Sequence, residues 1–165
     1  MSDLITSLKH DMIIFLKGDQ KRVHHNLKVH SFTALLGHEE KTDDNQQLCL
    51  EIAGLLHDIG IHECERKYGS SAGNYQEIES PPIARKLLEP YELSEEILQR
   101  TLYIIGHHHS CKFIDGPDFQ LLMEADFLVN MFEDNLNANQ INGIEKNLFK
   151  SKTGIKLLTS LSKAL

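Results

Sequence analysis

Apolar residues recur along this chain at intervals of three and four, the spacing that lays one stripe along a helix. Leu4, Ile5, Leu8, Met12, Phe15 and Leu16 form the first stripe, and Gly18-Asp19 punctuates its end. A second helix is predicted from about Lys21 to Glu40, with Val23, Leu27, His30, Ala34 and Leu35 near one face. A third begins after Asp43-Asp44-Asn45, where a side-chain oxygen can accept from the first free amides. It runs through Leu48, Ile52, Ala53, Leu55 and Leu56 and ends near His57-Asp58-Ile59-Gly60. No run alternates apolar and polar residues with β-branched enrichment, so no strand is predicted.

The middle of the chain is less regular. From Ile59 to Ser80 it holds Gly60, Gly69, Gly73 and Asn74 with no sustained period. That stretch reads as a long loop, of a length that is commonly functional. Pro81-Pro82 is predicted to open a short helix, since proline suits a first turn, and Pro90 to close it. Ser94-Glu95-Glu96 starts another by capping and dipole logic, reaching about His107. Asp115-Gly116-Pro117 is a turn. Phe119, Leu122, Met123, Phe127 and Met131 mark a helix to about Asp134, and Asn135 to Asn142 reads as a loop. Ile155, Leu157, Leu158, Leu161 and Leu165 mark a last helix. The expectation is an all-α single domain over residues 1–165, a compact helical bundle without internal repeat or linker.

Composition narrows the functional classes. With 41% hydrophobic and 25% charged residues among 165, the chain can bury a core. Its formal charge of −7 argues against a nucleic-acid polymer as partner, because such binding rests on Lys and Arg releasing counterions. The longest apolar run, Met12 to Leu16, is far short of the ~20 residues that cross a bilayer, so no membrane partner is expected. No secretory signal precedes it, which predicts a cytoplasmic location. Cys49, Cys64 and Cys111 form no C-x-x-C pair and read as reduced structural thiols. The ten histidines stand out, imidazole being the commonest metal ligand.

The chemistry concentrates at Leu55-Leu56-His57-Asp58-Ile59-Gly60, where an apolar helix face runs into a His-Asp pair. Such a pair alone also serves as a helix-end cap. Its surroundings point further: His25 lies beside Leu27 and Val29, and Asp126 lies within Leu121-Leu122-Met123-Glu124-Ala125-Asp126-Phe127-Leu128. A carboxylate among leucines and phenylalanines is costly without a partner. A bundle can aim side chains from several helices at one interior point. Two imidazoles and two carboxylates suit a divalent cation such as Mn, Fe, Co, Ni or Zn.

The order His25, then His57-Asp58, then Asp126, with leucines ahead of the pair and Ala-Asp at the end, resembles the HD-domain superfamily of metal-dependent phosphohydrolases. The matching blocks run from about Arg22 to Val129. The resemblance implies an all-α fold of the HD type and makes His25, His57, Asp58 and Asp126 metal ligands, for a cation set that also includes Mg. The implied activity is hydrolysis of a phosphate ester or diphosphate of a small molecule, nucleotides among the candidates.

Two blocks qualify that expectation. Ile104-Ile105-Gly106-His107-His108-His109-Ser110 ends a helix where many two-metal HD proteins place histidines. Gln76 to Ala84 falls where those proteins usually have a further histidine, and this chain offers Glu77 and Glu79 instead. One cation is therefore expected, with a second in question. Asp58, His108, His109 and Glu79 are the candidate catalytic groups. Arg22, Lys67 and Lys112, with Arg66 nearby, are candidates to meet an anionic substrate. His10, His24, His30 and His38 read as surface or packed side chains, and His62, in the loop after Gly60, is not counted among the site residues. Three other readings stay open: a diiron oxygenase on the same ligands, a non-catalytic metal- or nucleotide-binding module, and a helical interaction protein.

Overall fold

The computed structural model describes residues 2–162. Among them the chain forms α1 (Ser2–Phe15), α2 (Gln20–Glu39), α3 (Asp44–Leu56), α4 (Ile61–Tyr68), α5 (Gly73–Leu88), α6 (Glu95–Ile105), α7 (Pro117–Glu133), α8 (Ala138–Leu148) and α9 (Lys152–Ser162). Single 3₁₀ turns follow α5 at Glu89–Tyr91 and precede α7 at Cys111–Phe113, and no strand occurs among these residues. None of the described helices is long and apolar enough to cross a membrane. Leu165, placed by its spacing on the last helix, lies outside the described residues.

Two helices form the centre. On α3 every residue from Cys49 to Leu56 except Glu51 is buried, and on α7 every residue from Asp118 to Val129 except Asp126. A helix apolar on nearly all sides must be enclosed by others. Here α2 lies along both, α6 covers α3, and α1 closes the bundle over Leu8, Met12 and Leu16. The ligand candidates interrupt this core: His25 sits on the buried stripe of α2, and Asp126 faces in from mid-α7.

Three expectations from the sequence are corrected. The segment from Ile59 to Ser80 is not a loop, since it holds α4 and the first half of α5. Only Ile61 and Cys64 of α4 are buried, too short a stripe to show a period. Pro81-Pro82 does not open a helix but lies inside α5. Proline supplies no N–H, so the carbonyls of Glu77 and Ile78 lack their usual helical partner there. The stretch from Asn135 to Asn142 starts α8: Asn137 accepts from the amides of Asn139 and Gln140, and the Gln140 side chain answers the Asn137 amide.

Candidate metal centre

Each of the four ligand candidates is placed by a local device. Asp19 caps α2 by accepting from the Arg22 amide, which fixes the start of the helix that carries His25. His57 and Asp58 follow α3 in a tight turn ending at Gly60. That turn presses on α5: the Gly60 amide donates to Ser80 Oγ at 3.1 Å, and a Cβ on Gly60 would meet Ser80 N at 2.6 Å. Asp126 is held by the buried face of α7 on which it lies.

The four side chains converge. The Nε2 atoms of His25 and His57 lie 3.2 Å apart. His25 Nε2 is 3.3 Å from Asp126 Oδ1 and 3.6 Å from Asp58 Oδ2, and His57 Nε2 is 3.6 and 3.8 Å from the same oxygens. On the other side of its carboxylate, Asp58 Oδ1 is 3.3 Å from His108 Nε2. Asp58 thus belongs to two groups able to hold a cation, one with His25 and His57 and one with His108 and His109.

The backs of the rings set their tautomers. His25 Nδ1 donates to Glu133 Oε2 at 2.9 Å, and His108 Nδ1 donates to the Ile105 carbonyl at 2.7 Å. With the one proton of the neutral ring on Nδ1, each Nε2 lone pair can face a cation in the cluster. Lys28, one turn after His25, holds the other oxygen of Glu133. Glu133 escaped the sequence reading, although it falls seven residues after Asp126, two turns on along the same helix face.

Charge follows geometry. Burial raises the pKa of Asp58, but the His57 and His108 rings outweigh it and hold the carboxyl well below its usual range. Burial likewise opposes ionisation of Asp126, and His25 and His57 overcome it. Burial disfavours the charged form of His25, yet Asp126, Asp58 and Glu133 raise its pKa to about 9. Asp126 Oδ1 is buried without a hydrogen bond of normal geometry. Two converging imidazole Nε2 atoms, two ionised carboxylates and a buried Asp126 oxygen without a normal hydrogen bond fit a divalent cation, which would take the place of the His25 ring proton.

The triple histidine divides. His108 is buried against Asp58, and His109 lies exposed at the rim. The His109 ring packs on Gly73, where a Cβ would come within 2.5 Å of Cγ. Partial burial and the neighbouring His108 lower the His109 pKa to about 4, so its ring is neutral near pH 7. His107 turns away, donating from Nδ1 to the Tyr103 carbonyl at 2.7 Å and packing between the Tyr103 and Phe113 rings.

The remaining candidates lie elsewhere. Glu79 is absent from both metal-capable groups, its oxygens accepting from Lys67 Nζ at 2.7 Å and Tyr68 OH at 2.8 Å. Glu77 Oε1 accepts from the His109 amide at 3.2 Å. Gln76 is buried in that block along with Glu79, Ser80 and Ala84, and its Oε1 has no hydrogen-bond partner. Arg22 is engaged by Asp19 and Glu65, Lys67 by Glu63 and Glu79, and Arg66 by Glu63. Their charge is spent within the protein, whereas Lys112 stands over the Phe113 ring. His62 bonds Asp19 and His30 bonds Glu51, each away from the cluster.

No family model and no curated protein matches the chain. Among solved structures it is similar to the crystal structure of a predicted HD superfamily hydrolase from an uncultured Thermotogales bacterium. The TM-score is 0.67 at 20% identity, and the match covers 94% of this chain and 83% of that one. The chain therefore has the all-α HD-type fold that its motif order implied.

Proposed function

We propose that this protein is a metal-dependent hydrolase that cleaves a phosphate ester or diphosphate of a small molecule, nucleotides included. His25, His57, Asp58 and Asp126 hold the cation, and Asp58 with His108 and His109 offers room for a second. The observation that carries the reading is the position of Asp58, whose two oxygens face opposite histidine groups. The mixed imidazole–carboxylate set suits Mn, Fe, Co, Ni or Zn better than Mg.

A divalent cation bound there supplies Lewis-acid polarisation of a phosphoryl oxygen and acidifies water. The protein's own groups do the rest. Asp58 and Asp126, ionised and partly buried, orient an attacking water by accepting its hydrogen bonds. Neutral His109 at the rim accepts a proton from the attacking water through its free ring nitrogen and then passes that proton to the leaving oxygen. Lys112 is the candidate to meet the substrate's anion. The net negative charge of the chain does not oppose a phosphate here, because the cation reverses the local sign.

The test is metal analysis of the purified protein with phosphate release measured across a panel of nucleotides and sugar phosphates. Wild type releases phosphate with added Mn²⁺ or Co²⁺, and Asp58→Ala does not. Equal release by the two proteins overturns the assignment. Turnover that requires iron and dioxygen would move the chain to the oxygenase reading.

A further inference from the structure

Asn26 is fully buried next to His25, and neither atom of its carboxamide has a hydrogen-bond partner. Burying both ends of an amide unpaired is costly, so its position asks for an explanation.

The register between α2 and α3 supplies one. The two helices pack closely where Gly37 meets Gln47 and Leu50, and again where Gly54 meets Thr33 and His30. His30 also reaches Glu51. On α2 the stripe facing α3 is therefore His30, Thr33 and Gly37, and Asn26 continues it one turn earlier. The pairing runs antiparallel, so one turn before His30 corresponds to one turn beyond Gly54. His57 stands there, and its Nδ1 is also buried and unpaired. Its Nε2, on the opposite edge of the ring, faces His25 and Asp126.

We propose that Asn26 is the positioning residue for His57. Its Oδ1 accepts the proton on Nδ1 across one bridging water, and so fixes the tautomer that presents the Nε2 lone pair to the cation. The two histidines of the centre are then oriented by different chemistry, His25 by the Glu133 carboxylate and His57 by a neutral amide. A neutral partner suits this position, since Asp58 and Asp126 already bring negative charge to His57. The inference rests on the metal-centre reading above.

The test compares wild type with Asn26→Leu, which keeps the volume and removes both polar atoms. Urea unfolding without metal and calorimetric titration with Co²⁺ are measured for each. The expected result splits the two readouts: the metal-free unfolding midpoint stays or rises, while Co²⁺ affinity falls about 10–100-fold. Equal Co²⁺ affinity in the two proteins overturns the role of Asn26 and leaves the metal centre standing. Wild type that binds no Co²⁺ overturns both. Should Asn26→Leu fail to fold, Asn26→Ser is read by side-chain ¹H–¹⁵N NMR of the Co²⁺-free, Zn²⁺-loaded protein. Exchange of the His57 Nδ1 proton about tenfold faster than in wild type supports the proposal, and an unchanged rate overturns it.

Discussion

Glu133 Oε2 and His25 Nδ1 meet at 2.9 Å, tying the last turn of α7 to the first ligand helix. The carboxylate holds the ring by its far nitrogen, so that Nε2 faces Asp126 and His57. Partners of this kind govern both ring orientation and ligand basicity. Glu133→Ala is expected to weaken Mn²⁺ binding by about 10–100-fold in calorimetric titration. Glu133→Gln keeps an acceptor and should lose less. Wild-type affinity in Glu133→Ala would reduce the pair to a packing contact.

Glu124, two residues before Asp126, is fully buried and serves a different end. Its oxygens accept from Gln120 Nε2, the amides of Lys150 and Ser151, and the Ser151 hydroxyl. It fastens the start of α9 to α7 and leaves no space for a Cβ on Gly154. Glu124→Ala strands these donors, at roughly 3 kcal/mol or more for several unpaired buried groups. Denaturant unfolding should show that loss, and hydrogen exchange should show α9 losing protection first.

Gly60 is required by space, since its φ of −84° suits any residue. A Cβ there would lie 2.6 Å from Ser80 N and 2.8 Å from Ser80 Cα, backbone atoms that cannot turn aside. Gly60→Ala should push the His57–Asp58 turn away from α5. The expected outcome is a lower thermal midpoint together with weaker Mn²⁺ binding, both measurable on one preparation.

Asp19 sets a pH signature outside the metal centre. Partial burial opposes its ionisation, but hydrogen bonds from the Arg22 amide, His62 and the Arg22 side chain lower its pKa to about 2. A carboxyl lowered on folding contributes stability above its unfolded pKa of about 4 and loses it as pH falls toward the folded value. Asp19→Ala should cost about 1–2 kcal/mol at neutral pH through the lost cap. That gap should narrow between about pH 4 and pH 2, as urea unfolding at a series of pH values will reveal.

The long helices were legible because their apolar residues repeat over several turns: α1, α3 and α7 follow Leu8-Met12, Ile52-Leu56 and Phe119-Met123-Phe127. The elements missed have reasons of their own. Charged α4 buries only Ile61 and Cys64, and α5 carries two prolines where a helix usually begins rather than continues. The Asn137-x-x-Gln140 box that starts α8 was present in the sequence but hidden in a polar run. In the site, His25, His57, Asp58 and Asp126 stood out because polar groups in apolar surroundings need partners. Glu133 and Asn26 did not, since only the packing of α2 on α7 and α3 brings them behind the rings. Glu79 looked chemically apt, yet Lys67 and Tyr68 claim it.

The most direct measurement of the central claim is metal content after exhaustive dialysis of Mn²⁺-loaded protein, wild type beside His57→Ala. Wild type is expected to retain at least one equivalent and the variant none, with both proteins helical by circular dichroism. Equal retention by the two, or none in wild type, would contradict a cation held at His25, His57, Asp58 and Asp126.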